Sequence, residues 1–122
     1  MAHTIGLAIT WIACIGIIGI GIAYWLRNEK NAEGFGLPVL PAPEARGWWQ
    51  VKGIRDIASG LVGIVMIFAE PDAVAWVILV EALIPIGDMT LILGNHGRKS
   101  AAYGIHGVTA AFMVLAAILL LV

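Results

Sequence analysis

The first stretch of the chain, Thr4 to Leu26, runs for 23 residues without a charged side chain. A helix needs about 20 predominantly apolar residues to cross the hydrocarbon core of a bilayer. The whole chain is 61% hydrophobic and only 12% charged, whereas a soluble domain carries about 25% charged residues. We therefore predict an integral membrane protein in which this first helix is retained, because it lacks the pattern of a cleaved signal peptide.

Three further apolar stretches follow, separated by turn signals. Glu70-Pro71-Asp72 predicts a tight turn because proline disfavours helix in the residue before it. A second turn, rich in helix-terminating residues, is predicted over 94–99. The fold class predicted is all-α, an integral membrane antiparallel four-helix bundle that forms one domain over 1–122. Its helices are expected at about 4–26, 47–69, 73–93 and 100–122.

Residues 27–46 form the one long connection. It begins polar and then carries three prolines at Pro38, Pro41 and Pro43, which exclude a regular helix there. A loop that was only solvated would not need Phe35 and the apolar residues that follow it. We expect the segment to fold back onto the membrane surface, either as an interfacial linker or as a lid over the charged end of the second helix.

The basic residues give the expected orientation. All seven Lys and Arg residues lie in 27–46, in 94–99 or in the adjoining end of the second helix, while the opposite side carries Glu70 and Asp72. The positive-inside rule then predicts cytoplasmic loops at 27–46 and 94–99 and both termini outside, in a bacterial inner membrane.

The composition argues against several partners and cofactors. The net charge of −1 and the absence of a long basic run predict no nucleic-acid partner. The single cysteine, Cys14, excludes an intrachain disulfide and a cysteine-based metal cage. The carboxylates and His106 follow no metal-ligand spacing, and Lys52 and Arg55 would repel a cation. We predict no metal and no cofactor.

The second helix carries the most constrained polar group, Lys52-Gly53-Ile54-Arg55-Asp56. Ionisable groups inside a membrane are costly and by default mark a functional site. On a helix, Lys52, Arg55, Asp56 and Ser59 fall within an arc of roughly 100°.

The third and fourth helices each offer one further polar stripe. Glu81, Pro85 and Asp88 share one face, and Tyr103 and His106 share a side of the last helix. Three stripes facing lipid would cost far more than three facing one another. The sequence therefore predicts a pocket open to the cytoplasmic side with Glu81 at its floor, which a kink at Pro85 would widen.

The leading functional hypothesis is a pocket that binds a small lipophilic molecule and that could also transform it by acid/base chemistry. An isomerase, a cyclase or a cofactor-free oxygenase-like activity would fit these groups. The predicted catalytic residues are Glu81, Asp88, His106 and Asp56. The predicted binding residues are Lys52, Arg55, Ser59 and Tyr103.

The alternative hypothesis is a non-catalytic assembly or transport subunit. Its buried charges nearly cancel, and they would hold helices together or pair with a partner chain. Proton or ion passage is a third reading, but the outer halves of the second and fourth helices have almost no polar groups. The glycine-rich first helix predicts a homo-oligomer within the lipid bilayer.

Several separated motifs resemble those of the DUF4267 family, small four-helix membrane proteins of bacteria and fungi with no established activity. The motifs are Phe35-Gly36-Leu37-Pro38, Lys52-Gly53-Ile54-Arg55-Asp56 with Gly60, Ile84-Pro85-Ile86-Gly87-Asp88 and Ile105-His106-Gly107. The resemblance spans about residues 5 to 122. It implies a membrane four-helix unit and an importance for Lys52, Arg55, Asp56, Asp88 and His106, and it implies no reaction. More loosely, the layout is similar to DoxX-like and anthrone-oxygenase-like membrane proteins.

Overall fold

The computed structural model describes all 122 residues, which are helical over most of their length and form no strand. Short 3-10 turns at Pro43–Ala45 and Pro71–Ala73 precede two of the helices. The elements in chain order are α1 (Ala2–Leu26), α2 (Asn28–Phe35), α3 (Arg46–Ala69), α4 (Val74–Glu81), α5 (Leu83–Gly94), α6 (Lys99–Ala101), a π-helical segment (Ala102–Gly107) and α7 (Val108–Leu121).

Three helical segments are long and apolar enough to cross a membrane, namely Ala2–Leu26, Pro71–Gly94 and Lys99–Leu121. This confirms the prediction of an integral membrane protein with an all-α fold. The segment α3 is comparable in length, with 24 residues, but four of them are charged. The four-span arrangement predicted from the sequence is therefore not established by the apolar segments alone, and α2 adds a helix that the sequence did not predict.

Helix α2 occupies the first part of the segment predicted to be a connection. The prolines begin only at Pro38, so nothing in 28–35 prevents a short helix. The helix ends at Gly36, whose φ of +109° lies in the left-handed region that glycine adopts without strain. A Cβ at Gly36 would also lie 2.6 Å from the Cβ of Ala101.

Helices α1 and α3 pack closely and antiparallel through glycines. A Cβ on Gly21 would lie 2.6 Å from the carbonyl oxygen of Gly53, and a Cβ on Gly53 would lie 2.6 Å from that of Gly21. Farther along, a Cβ on Gly60 would lie 2.5 Å from the carbonyl oxygen of Cys14. Small residues let two helix backbones approach in this way. The buried face of α3 is consequently Gly53, Asp56, Gly60 and Gly63.

Helix α1 packs against the last helix near the chain termini. The Cβ position of Gly6 is 3.0 Å from the carbonyl oxygen of Ala116 and 3.0 Å from the Cβ of Leu119. Farther along α1, the Cβ position of Gly16 has no atom within 4 Å. The two helices therefore diverge toward the charged end of α3. An apolar core contains Cys14, Val74, Ile78, Ala82, Met113 and Ala116.

Two irregularities interrupt segments that the sequence predicted as continuous helices. The α-helix is interrupted at Ala82, between α4 and α5. This is where a kink was expected, because Pro85 has no N–H to donate to the Glu81 carbonyl. The last helix is π-helical over Ala102–Gly107, a local form that the sequence did not predict and that is often found at functional sites.

The glycine contact gives a direct prediction about stability. We expect Gly53→Ala to destabilise the protein by about 1–3 kcal/mol, because the added methyl group pushes α3 away from α1. Thermal unfolding in detergent measures the effect. The matched control is Gly19→Ala, because Gly19 has no atom within 4 Å of its Cβ position. Equal stability of the two variants would contradict the packing described.

Candidate functional site

A cavity of about 900 Å³ lies between α1 and the C-terminal helices. It extends along α1 from Ile9 to Arg27, the residue after the helix end, a rise of about 27 Å. We call the part lined by Arg27, Lys30, Lys52, Asp88 and His106 the charged end, and the part lined by Ile9, Cys14, Ile78, Phe112 and Met113 the apolar end. Small-molecule sites have volumes of about 300–1,000 Å³, so the cavity is large enough for a ligand.

Five of the eight side chains singled out in the sequence line this cavity. They come from three separate helical segments: α3, the α4–α5 segment and the π-helical segment. The polar stripes therefore face a shared space, as their positions on the helices suggested. The five are Lys52, Ser59, Glu81, Asp88 and His106.

Lys52 is fixed by a carboxylate and two aromatic rings. Its Nζ lies 2.7 Å from Oδ2 of Asp56, one helical turn away, and the Asp56 side chain is only 8% exposed. The same Nζ lies 4.7 Å from the ring centroid of Tyr24 and 5.6 Å from that of Phe35, within the range of cation–π attraction. Asp56 does not line the cavity. The structure places it where it holds Lys52 at the charged end.

His106 connects three elements at the charged end. Its Nδ1 lies 3.5 Å from Oδ2 of Asp88 on α5, and its Nε2 lies 3.2 Å from the carbonyl oxygen of Phe35 on α2. The imidazole also contacts the Phe35 ring, with centroids 4.7 Å apart. A carboxylate and a carbonyl oxygen only accept hydrogen bonds. Both nitrogens can therefore donate at once only when the imidazole is protonated.

Glu81 differs from the other acids because no Lys, Arg or His lies within ion-pair distance of it. It is half-buried at the end of α4, next to the interruption at Ala82. Ser59 of α3 lines the same cavity. Seven residues separate Glu81 from Asp88, so the two acids lie about 10 Å apart along the helix axis.

Two of the candidate binding residues lie outside the cavity. Arg55 is exposed and forms no ion pair, and Tyr103 is 56% exposed. The glycine face of α3 turns toward α1, which rotates Arg55 outward. Tyr103 lies in the π-helical segment, whose wider turn displaces side chains from the positions of a regular helix. Neither residue contributes to the cavity wall.

Three residues at the charged end were not among the predicted site residues. Tyr24, near the end of α1, is 2% exposed and donates a hydrogen bond of 3.4 Å to the Asn31 carbonyl oxygen. The Asn31 amide donates to the carbonyl oxygens of Ala23, at 3.1 Å, and Arg27, at 2.8 Å. Phe35, the last residue of α2, packs against the His106 imidazole. The available signal was the motif that begins at Phe35.

Helix α2 lies over the charged end and is bound to the turn at 94–99. The guanidinium of Arg98 donates to the carbonyl oxygens of Glu33, at 3.3 Å, and Gly34, at 3.2 Å. Its backbone N–H donates to the Gly36 carbonyl oxygen at 2.8 Å. A cation at the last carbonyls of a helix stabilises that end of the helix.

The acids and histidine of the cavity do not form a metal-binding group. Asp88 and His106 are neighbours, but no three His, Cys, Asp or Glu side chains come together in a way that could hold a metal ion.

The profile of the Domain of unknown function (DUF4267) matches residues 14–120, and the chain belongs to this family. The description of the family assigns it no activity. No curated protein and no solved structure matches the chain.

The attachment of α2 by Arg98 can be tested by hydrogen exchange. We expect Arg98→Gln to speed exchange of the α2 amides about tenfold, because hydrogen bonds from a charged donor contribute about 1–3 kcal/mol. Mass spectrometry of deuterium uptake in detergent measures this. Lys99→Gln is the control, since Lys99 is exposed and forms no ion pair. If exchange in the two variants were alike, Arg98 would not hold α2.

Proposed function

We propose that this DUF4267 protein is an antiparallel four-helix bundle in a bacterial inner membrane. Its spans are α1, α3, Pro71–Gly94 and Lys99–Leu121. In support, α3 lies against α1 over most of its length, and its charged residues cluster at the end that also carries α2 and the 94–99 turn. By the positive-inside rule this end faces the cytoplasm and the termini lie outside.

The cavity is the binding site for a small lipophilic molecule. The observation that carries this proposal is a single space of about 900 Å³ with mainly apolar walls, lined by five polar side chains chosen from the sequence. Ligand sites combine apolar walls with a few polar groups that orient the ligand. Charges that only held helices together would need no space of this size between them.

Glu81 is the proposed acid/base group. It has no cationic partner within ion-pair distance and lies where apolar and polar walls meet. A carboxyl group in this position can give a proton to a bound molecule or take one from it. Asp88 and His106 form a second proton-transfer pair nearer the charged end, and Lys52 stabilises negative charge that develops on the ligand. Isomerisation or cyclisation can proceed by proton transfers of this kind.

A second candidate function is supported by Arg55. This guanidinium lies on the outer face of α3, exposed and outside any ion pair. It is nine residues from the start of the helix, or about 14 Å along its axis. A cation at such a depth is stabilised by a neighbouring chain or a lipid phosphate. The protein would then be a membrane assembly subunit, with a second copy or another chain beside α3.

The assembly candidate makes its own prediction. Under it, Arg55→Gln lowers the mass of the complex measured by native mass spectrometry in nanodiscs. Arg46→Gln is the matched control, because Arg46 is an exposed arginine at the first turn of the same helix. An unchanged mass in Arg55→Gln would contradict this candidate function.

The ligand hypothesis is tested on protein extracted with its surrounding lipids. We expect a lipophilic compound to co-purify with the wild type and, once identified, to be converted by it. Glu81→Gln should keep the compound bound but slow its conversion by about 100-fold or more, the usual contribution of a general acid or base. Mass spectrometry of the bound and released compounds measures both steps.

Glu70→Gln is the matched carboxyl-to-amide control, because Glu70 is exposed and outside the cavity. Full conversion by Glu81→Gln would contradict the acid/base role. A wild-type protein that binds no compound in the cavity would contradict the ligand proposal itself.

A further inference from the structure

The cavity is open on one side, between α1 and α7. Gly16 and Ile20 of α1 line it, as do Val108 and Phe112 of α7, and all four are exposed. We call these four residues the lateral opening. The two helices meet near Gly6 and Ala116 but are not packed together at the level of Gly16, whose Cβ position has no atom within 4 Å. The cavity thus communicates with the outer surface of the helices.

In a bilayer, the outer surface at this level faces lipid tails. The lateral opening lies within the two apolar segments Ala2–Leu26 and Lys99–Leu121, both of which can cross a membrane. Its four residues are apolar or glycine, so passage of an acyl chain between them exposes no polar group to lipid. A molecule dissolved in the bilayer can therefore reach the cavity sideways without passing through water.

The charged end carries an excess of available cations. Arg27 and Lys30 both line the cavity, and neither forms an ion pair. Lys52 is bound to Asp56, and Asp88 faces His106, so these four groups are already partnered. Arg27 and Lys30 are the two charged groups at this end that lack a partner within the chain.

We propose that the ligand is a single-chain amphiphile with an anionic headgroup, which enters through the lateral opening and places its headgroup beside Arg27 and Lys30. The proposal deepens the proposed function and rests on it. The tail lies along α1 toward the apolar end, over a length of about 27 Å that approaches the roughly 30 Å hydrocarbon thickness. The cavity has the volume of a site for a drug-sized molecule, which favours one chain over the two of a phospholipid.

The test uses a fatty acid that carries a photoactivatable diazirine near the end of its chain, and the matching fatty alcohol. Both probes are added to the full-length protein in nanodiscs of zwitterionic lipid. After irradiation, peptide mass spectrometry maps the labelled residues. We expect the fatty acid to label the apolar end of the cavity, at Ile78 and Met113, at least fivefold more than the alcohol does.

The route is tested by a pair of glycine variants. Gly16→Leu places a side chain in the lateral opening, and Gly19→Leu places the same side chain on α1 outside the cavity. Neither Cβ position has an atom within 4 Å, so both variants can fold. Labelling by the fatty acid should fall at least fivefold in Gly16→Leu and stay unchanged in Gly19→Leu.

The headgroup contact is tested by Lys30→Gln, with the exposed Lys99→Gln as its control. A basic residue near a membrane surface strengthens binding of an anion by an amount equivalent to about fivefold in affinity. Labelling by the fatty acid should fall by about that factor in Lys30→Gln only, and labelling by the alcohol should not change.

The possible results distinguish the anionic ligand and its lateral route from the lipophilic binding site itself. Equal labelling of the cavity by acid and alcohol would overturn the anionic headgroup and leave a lipophilic site standing. Equal labelling in Gly16→Leu and Gly19→Leu would overturn the lateral route. If neither probe labelled the cavity although both labelled the outer surface of the helices, the lipophilic binding site itself would be refuted.

Discussion

The close approach of α1 and α3 is the contact on which the rest of the structure depends. Gly21 and Gly53 meet with no room for a methyl group on either, and Gly60 meets the backbone of α1 at Cys14. Because one face of α3 is committed to this contact, the directions of its other side chains follow. Lys52 and Ser59 line the cavity, and Arg55 is directed outward.

The charged end of the cavity is organised by α2 rather than by direct packing of the long helices. Three side chains from three other elements bind this short helix or its C-terminal residue: Arg98 through carbonyl oxygens, His106 through the Phe35 carbonyl and Lys52 through the Phe35 ring. The diverging helices are thus bridged by polar contacts at one end and by an apolar core at the other. Between the two ends the space remains open.

The two helix irregularities both adjoin this space. The interruption at Ala82 adjoins Glu81, and the π-helical segment carries His106. Backbone groups freed from regular helical hydrogen bonding cannot face lipid without a large cost, so irregular backbone in a membrane is found where it faces protein or a polar cavity. The irregularities and the polar side chains Glu81 and His106 therefore adjoin the same cavity.

The sequence by itself determined the membrane character, the turns at 70–72 and 94–99, the interruption near Pro85 and five of the cavity-lining residues. These features follow from local properties: apolar length, proline chemistry and the spacing of residues on one helix. Only the tertiary structure decided the helix over 28–35, the π-helical turn at His106 and the exclusion of Arg55 and Tyr103 from the cavity. The rotation of α3 depends on where its glycines meet α1. The positions of Tyr24 and Phe35 in the cavity wall depend on where α2 packs against the other helices. Contacts between residues distant in the chain set both, and helical periodicity carries no information about them.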